Sequence, residues 1–180
     1  MAQFDSGDVY SEFQTNLPEA PKNYSWESLA AINGSILIPD KWYFTPRSVE
    51  GIQTYFVTPE PFEDGGEFDI GLTLSALEYT KEKTGKTPNE YAKRFIRFRK
   101  INYLSYDERE VNRGKFRQYD ILFETVSDEK PKLNIRTRLL ANDRTDKLYI
   151  VLFEAPKAQW DKIWKVARPS LEKLILDDGF

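Results

Sequence analysis

From Leu148 to Phe153 every residue is apolar, so in an extended segment Leu148, Ile150 and Leu152 point one way and Tyr149, Val151 and Phe153 the other. A strand apolar on both faces needs a cover on each, which places it inside a sheet. The turn-like Glu154-Ala155-Pro156 follows. Then Trp160, Ile163, Trp164, Ala167, Leu171, Leu174 and Ile175 recur at helical spacing. Their single apolar stripe supplies one of the two covers. Pro169 lies within this pattern, where it removes a backbone donor and clashes with the carbonyl four residues back, so a kink or break is expected near Arg168.

Upstream, two short strands are expected between Tyr24 and Ile38, joined by Asn33-Gly34, a favoured pair for a tight hairpin turn. Pro39 ends the second strand because it has no N–H to give a ladder. Strands are also expected over Ile52–Val57 and Phe68–Tyr79, with a loop at Pro59–Glu67 between them; Gly71 marks a bulge or a close neighbour. Lys81–Thr87 reads as a charged loop. Thr87-Pro88-Asn89-Glu90 combines a cap, a first-turn proline and a capping-box glutamate, and starts a helix to about Lys100. Its wheel places Tyr91, Ala92, Phe95, Ile96 and Phe98 on one arc, with Arg99 among them, and Lys93, Arg94, Arg97 and Lys100 on the opposite arc. Four strands follow, Tyr103–Val111, Lys115–Val126, Lys132–Ala141 and Leu148–Phe153, and their short connections make neighbours antiparallel. Helices against a mainly antiparallel sheet make this an α+β pattern. Residues 1–23 carry Asp5, Asp8, Glu12 and Glu19 against a single Lys22, and Phe4, Tyr10, Phe13 and Leu17 keep neither period. They read as an extended arm ahead of a single domain, 24–180.

Composition narrows the function. At 180 residues with 40% hydrophobic and 14% aromatic residues, one domain with a real core is expected. A net charge of −3 gives no global attraction to nucleic acid or anionic membrane, and no apolar run is long enough to cross a bilayer. There is no Cys and no His. This excludes disulfides, thiolate chemistry, Ser-His pairs and the usual general base near neutral pH. Any metal site would be all oxygen, which favours Ca, Mg or Mn. The start Met1-Ala2-Gln3 has no cationic, apolar leader. The compartment is therefore open between cytoplasm and a periplasmic or lumenal location reached after leader removal, with the latter slightly preferred.

Four clusters could carry chemistry. Glu60, Glu63, Asp64, Glu67 and Asp69 surround Gly65-Gly66 but lack EF-hand spacing, so they read as a solvated loop and not as a metal site. Lys81 to Lys100 forms a local basic patch, opposed only by Glu82 and Glu90, and suits either a solvated helix face or an acidic partner. Nucleic acid fits it less well, because Tyr91, Phe95 and Phe98 are expected to face the core. Asp120 and Glu124 can pair across strands with Arg136 and Arg138. As an acid/base couple they would stand roughly 13 Å apart at about 3.4 Å per residue, beyond the widest glycosidase spacing of about 9.5 Å. The aromatic run Trp42-Tyr43-Phe44 with Tyr55-Phe56 reads as core, and alternatively as a small-molecule or lipid pocket lined by Trp42, Tyr43 and Tyr55. No phosphate loop, nucleophile elbow or metal motif is present.

Three stretches carry a resemblance: Gly34–Trp42, a strand ending in Pro39 and Trp42; the Pro88–Lys100 helix; and Tyr149–Pro156 leading into the helix with Trp160 and Trp164. In this order, over roughly residues 24–178, the chain resembles the PsbP/Mog-like superfamily of PsbP extrinsic photosystem proteins, Mog-type factors, DcrB-type lipoproteins and Eag-type chaperones. The resemblance implies an α/β/α sandwich around a largely antiparallel sheet. It also implies a non-catalytic binding or assembly factor without a cofactor. Metal sites in PsbP-type relatives are linked to histidines, which this chain lacks, so no metal residue and no functional residue carries over. The expected activity is protein binding to a partner with an acidic surface through Lys93, Arg94, Arg97 and Lys100. The alternative is the carrier with the Trp42, Tyr43 and Tyr55 pocket.

Overall fold

The computed structural model describes residues 17–61, 66–126 and 131–176. Strands β1 (Tyr24–Leu29) and β2 (Gly34–Pro39) form a two-stranded antiparallel hairpin. Strands β3 (Tyr43–Val49), β4 (Ile52–Thr58), β5 (Gly71–Glu78), β6 (Tyr103–Arg113), β7 (Phe116–Thr125), β8 (Leu133–Asn142) and β9 (Lys147–Pro156) form a second sheet in the order β3-β4-β5-β9-β8-β7-β6. Every neighbouring pair in it is antiparallel. The helices are α1 (Thr80–Thr84), α2 (Pro88–Asn102) and α3 (Trp160–Glu172).

Strand β9 is fourth of seven, so its apolar-on-both-faces pattern finds a cover on each side. Leu148 and Ile150 face α2, in a core with Ala92, Ile96, Tyr119, Phe123 and Leu139. Tyr149, Val151 and Phe153 face α3 and the hairpin, in a core with Leu37's neighbours Ile36 and Ile38, Tyr55, Leu72, Ala167 and Leu171. Trp160 and Trp164 stack on each other at 5.5 Å between centroids, and lie 5.4 and 5.5 Å from the Phe153 ring. An α/β/α arrangement results, with one long helix on each face of the sheet.

Several local expectations are corrected. The hairpin does not turn at Asn33-Gly34. A 3₁₀ turn over Ala30–Ile32 intervenes, Asn33 takes the left-handed conformation (φ 48°), and Gly34 is already paired with Leu29. Gly34 serves a close approach instead: a Cβ there would stand 2.7 Å from the Ile175 carbonyl oxygen. Strand β3, with Pro46 in it, carried no strand signal, yet its Pro46 sits on an edge, where a missing N–H is tolerated. The Lys81–Thr87 loop begins as α1, anchored by the Asp146 carboxylate, which accepts from the Lys81 N–H at 2.8 Å. At Gly71, which starts β5, the close neighbour expected as one alternative is found in place of a bulge: a Cβ there would stand 2.7 Å from the Phe68 ring. Helix α3 runs through Pro169 to Glu172 without breaking. Leu174 and Ile175 leave the helix, and Ile175 bridges Ser35 through two backbone bonds of 2.9 and 3.0 Å.

Of the expected arm, residues 1–16 lie outside the described residues. Part of the rest is held on the hairpin, where the Pro18 carbonyl accepts from Trp26 Nε1 at 2.7 Å.

Candidate functional site

Helix α2 is fixed at its start by both halves of a capping box. The Thr87 hydroxyl accepts from the Glu90 N–H at 3.3 Å, and Glu90 Oε2 accepts from the Thr87 N–H at 2.9 Å. The Asp143 carboxylate of the β8–β9 turn accepts from the Asn89 N–H at 2.9 Å, which ties the helix to the sheet. Ala92 and Ile96 are buried against β7, β8 and β9. Arg99 is turned inward and lies over the rings of Phe95 and Tyr103, at 5.3 and 5.0 Å.

The outer face carries Lys93, Arg94 and Arg97, all exposed and without an ion pair among the described residues. Lys100, expected to act with them, is bound to Glu108 on β6. Phe98 does not join the core. It is 66% exposed, and Ile101 is 74% exposed beside it. Phe98 lies about 120° round the wheel from Ala92 at 3.6 residues per turn, too far to reach the sheet. Arg94, Arg97, Phe98 and Ile101 therefore make one outward ridge at spacings of three and four, cationic at its start and apolar at its end. The wheel could have shown this for Ile101, but the apolar character of Phe98 drew it to the wrong arc.

Helix α2 passes directly into β6, an edge strand with every residue after Tyr103 exposed. Asp107 there takes a positive φ of 47° where the register shifts. Arg136 donates to Asp107 at 2.8 Å and Arg109 at 2.9 Å, and the Arg136 bond above all holds the Asp107 carboxyl below its ordinary value.

The other clusters are differently placed. Asp120 and Arg138 face each other in register and are both buried, with Arg138 Nε 2.9 Å from Asp120 Oδ1. Gln118 also donates to Asp120, and Arg138 Nη1 donates to the Leu171 carbonyl of α3 at 2.9 Å. Glu124 takes Lys157 at 2.7 Å, and the Glu124 carboxylate raises the Lys157 ammonium above its ordinary value. Both buried carboxylates are thus engaged by cations, and Arg136 turns to Asp107, not to this pair. Of the acidic loop, Glu60, Glu67 and Asp69 are exposed, while Glu63 and Asp64 lie outside the described residues. No three acidic side chains converge for a metal among the described residues. A cleft of about 590 Å³ opens beside this loop, lined by Thr58, Glu60, Phe68, Asp69 and Ile70. It does not include Trp42, Tyr43 or Tyr55. Tyr55 is buried with its ring stacked on Phe44 at 5.9 Å, and Trp42 packs against the same core. Tyr43 starts the alternate register of β3 and faces the other side of the sheet, 47% exposed. Trp42 and Tyr55 thus share the α3-side core, while Tyr43 stands on the other face of the sheet.

Sequence reasoning did not single out Glu154. On the α2 face of β9, paired in register with Gly71 and Ile135, it is raised above its ordinary value by burial; Arg99 opposes the shift and Asp69 adds to it.

No family model matches the chain, and no curated protein matches it. Solved structures do. The solution structure of cyanobacterial PsbP (CyanoP) from Synechocystis sp. PCC 6803 matches with a TM-score of 0.56 and 13% identity, over 89% of this chain and 98% of that one. The Ran-binding protein Mog1p of Saccharomyces cerevisiae matches with a TM-score of 0.55 and 16% identity, over 84% of this chain and 94% of that one. At such identities the likeness is one of fold.

Proposed function

We propose that this PsbP/Mog-like chain is a non-catalytic protein-binding or assembly factor, which meets an acidic partner surface through the outer face of α2. Lys93, Arg94 and Arg97 supply the charge and Lys100 the margin. The observation that carries this reading is the ridge itself. Three cations without described partners stand beside two strongly exposed apolar side chains, on a chain of net charge −3. A merely solvated helix face has no use for Phe98 and Ile101 at its crest, whereas exposed apolar groups rimmed by charge mark contact surfaces. The fold supports the reading by analogy only: Mog1p, of similar fold, is a Ran-binding protein. Tyr91 and Phe95 are turned to the sheet and give nucleic acid bases little to stack on.

The test is charge reversal. Arg94→Glu with Arg97→Glu should weaken capture of the partner from extract of the source cell by about tenfold or more, close to 1.4 kcal/mol. Lys162→Glu with Lys165→Glu, on the exposed side of α3, should leave capture unchanged. Both pairs should melt near the wild type, since exposed substitutions usually stay within about 0.5 kcal/mol. Equal capture by all three proteins overturns the proposal.

A further inference from the structure

Helix α2 covers only part of its face of the sheet. It packs on β6, β7, β8 and β9, to one side of β3, β4 and β5. On β4 and β5 the residues Tyr55, Val57, Leu72 and Leu74 are buried on the α3 side, so the alternate residues face the α2 side. Those residues form two rows in register. One is Thr45, Phe56, Thr73 and Leu152; the other is Arg47, Thr54, Ser75 and Ile150. The flank of α2 that looks over these rows carries Phe95 and Phe98. Phe95 shares a core with Ile52 of β4 and Leu152 of β9, and Phe98 lies about 60° further round the wheel. Lys100, bound to Glu108 of β6, marks the opposite flank. The result is a trough floored by the two rows and walled on one side by α2, with Phe98 66% exposed on the wall.

The trough is one helix wide. Three strands about 4.8 Å apart extend about 14 Å beside β9, and a helix with its side chains measures about 10 Å across. Its floor dries at low cost, because the Thr54 and Ser75 hydroxyls satisfy each other at 3.3 Å and Phe56 and Leu152 are apolar. The surrounding charges give an occupant its direction. Asp69 and Glu154 stand near each other at the end where α2 stops, beside Gly71. The positive N-terminus of a helix is favoured there, so the occupant runs antiparallel to α2. Arg94, exposed on α2 and one turn before Phe98, calls for a carboxylate on the flank facing it. We infer that this trough seats an amphipathic helix of the partner, antiparallel to α2, with apolar side chains on Phe56, Leu152 and Phe98 and a carboxylate toward Arg94. The inference rests on the reading of the chain as a partner-binding factor, and gives that partner its form.

The spacing of adducts along the partner tests this. Positions 73 and 75 lie on one face of β5, about 7 Å apart. That distance spans about four or five residues of a helix at 1.5 Å each, but two of an extended segment. A short diazirine side chain is placed at position 73, and in separate proteins at 75 and at 45, in the full chain in its source cell. Position 45, on the edge strand β3, keeps the test open if a change within β5 prevents folding. After illumination, 73 and 75 should label one protein at sites about four or five residues apart, with the site from 73 nearer its N-terminus. Position 45 should label the same segment. Sites two residues apart, sites in the reverse order, or sites on a second copy of this chain overturn the inference. So does the absence of adducts from all three positions in folded chains. The two proposals fail separately. Adducts from position 97 with none from the trough overturn the seat and leave the outer face of α2 as the contact. Adducts from the trough with none from position 97 keep the seat and remove the outer face.

Discussion

Asp120 and Arg138 show how much a single pair of side chains can hold together. Both are buried, both are satisfied, and Arg138 also reaches across to the Leu171 carbonyl, so one guanidinium links β7, β8 and α3. Asp120→Ala leaves that cation buried without its carboxylate and should cost about 3–5 kcal/mol in denaturant unfolding. The double replacement Asp120→Leu with Arg138→Met should cost far less, since it removes the charge as well as its partner. Glu154 gives a prediction in pH. Burial raises its folded pKa above the ordinary 4.5. Its contribution to stability is therefore fully present below 4.5 and lost as pH rises through the raised value. Glu154→Gln should melt higher than the wild type at pH 7, and the gap should close as pH falls toward 4; a gap that persists at pH 4 contradicts the assignment. The Asp120–Arg138 pair was legible because strands alternate with period two. Glu154 was not, since its burial depends on which strands flank β9, and no local pattern records that.

At the scale of elements, α2 was the most legible, because its cap lies in four consecutive residues. Thr87→Ala should destabilise by about 1 kcal/mol. The C-terminal segment was the least legible. Leu174 and Ile175 continue the helical spacing of α3, yet they leave the helix because Ser35 offers a backbone bridge and Leu174 and Leu176 bury themselves. Gly34→Ala tests that bridge. Its Cβ would meet the Ile175 carbonyl at 2.7 Å, so the substitution should cost about 1–3 kcal/mol, as overpacking does, and speed hydrogen exchange at the Ile175 amide. Unchanged exchange there would mean that the segment yields at no cost. Edge strands show a similar division. Strand β3 hid behind Pro46, which blunts one margin of the sheet, while β6 protects the other with Asp107, Glu108, Arg109 and Glu110 and a register shift.

For the molecule as a whole, the sandwich followed from one six-residue run. Leu148–Phe153 demanded two covers, and the chain supplies α2 on one side and α3 with the hairpin on the other. The cationic half of the candidate site was equally legible, because charge on a helix face needs no tertiary knowledge. Its apolar half was hidden, because an exposed Phe98 and a core phenylalanine look alike in one dimension. The joint claim is that the outer face of α2 meets the partner. A photoreactive side chain placed at position 97, and in a separate protein at position 165 on α3, tests it in the native setting of the source cell. The account predicts one discrete protein adduct from position 97 and none from position 165. Adducts of equal yield from both positions, or an adduct from position 165 alone, would contradict it.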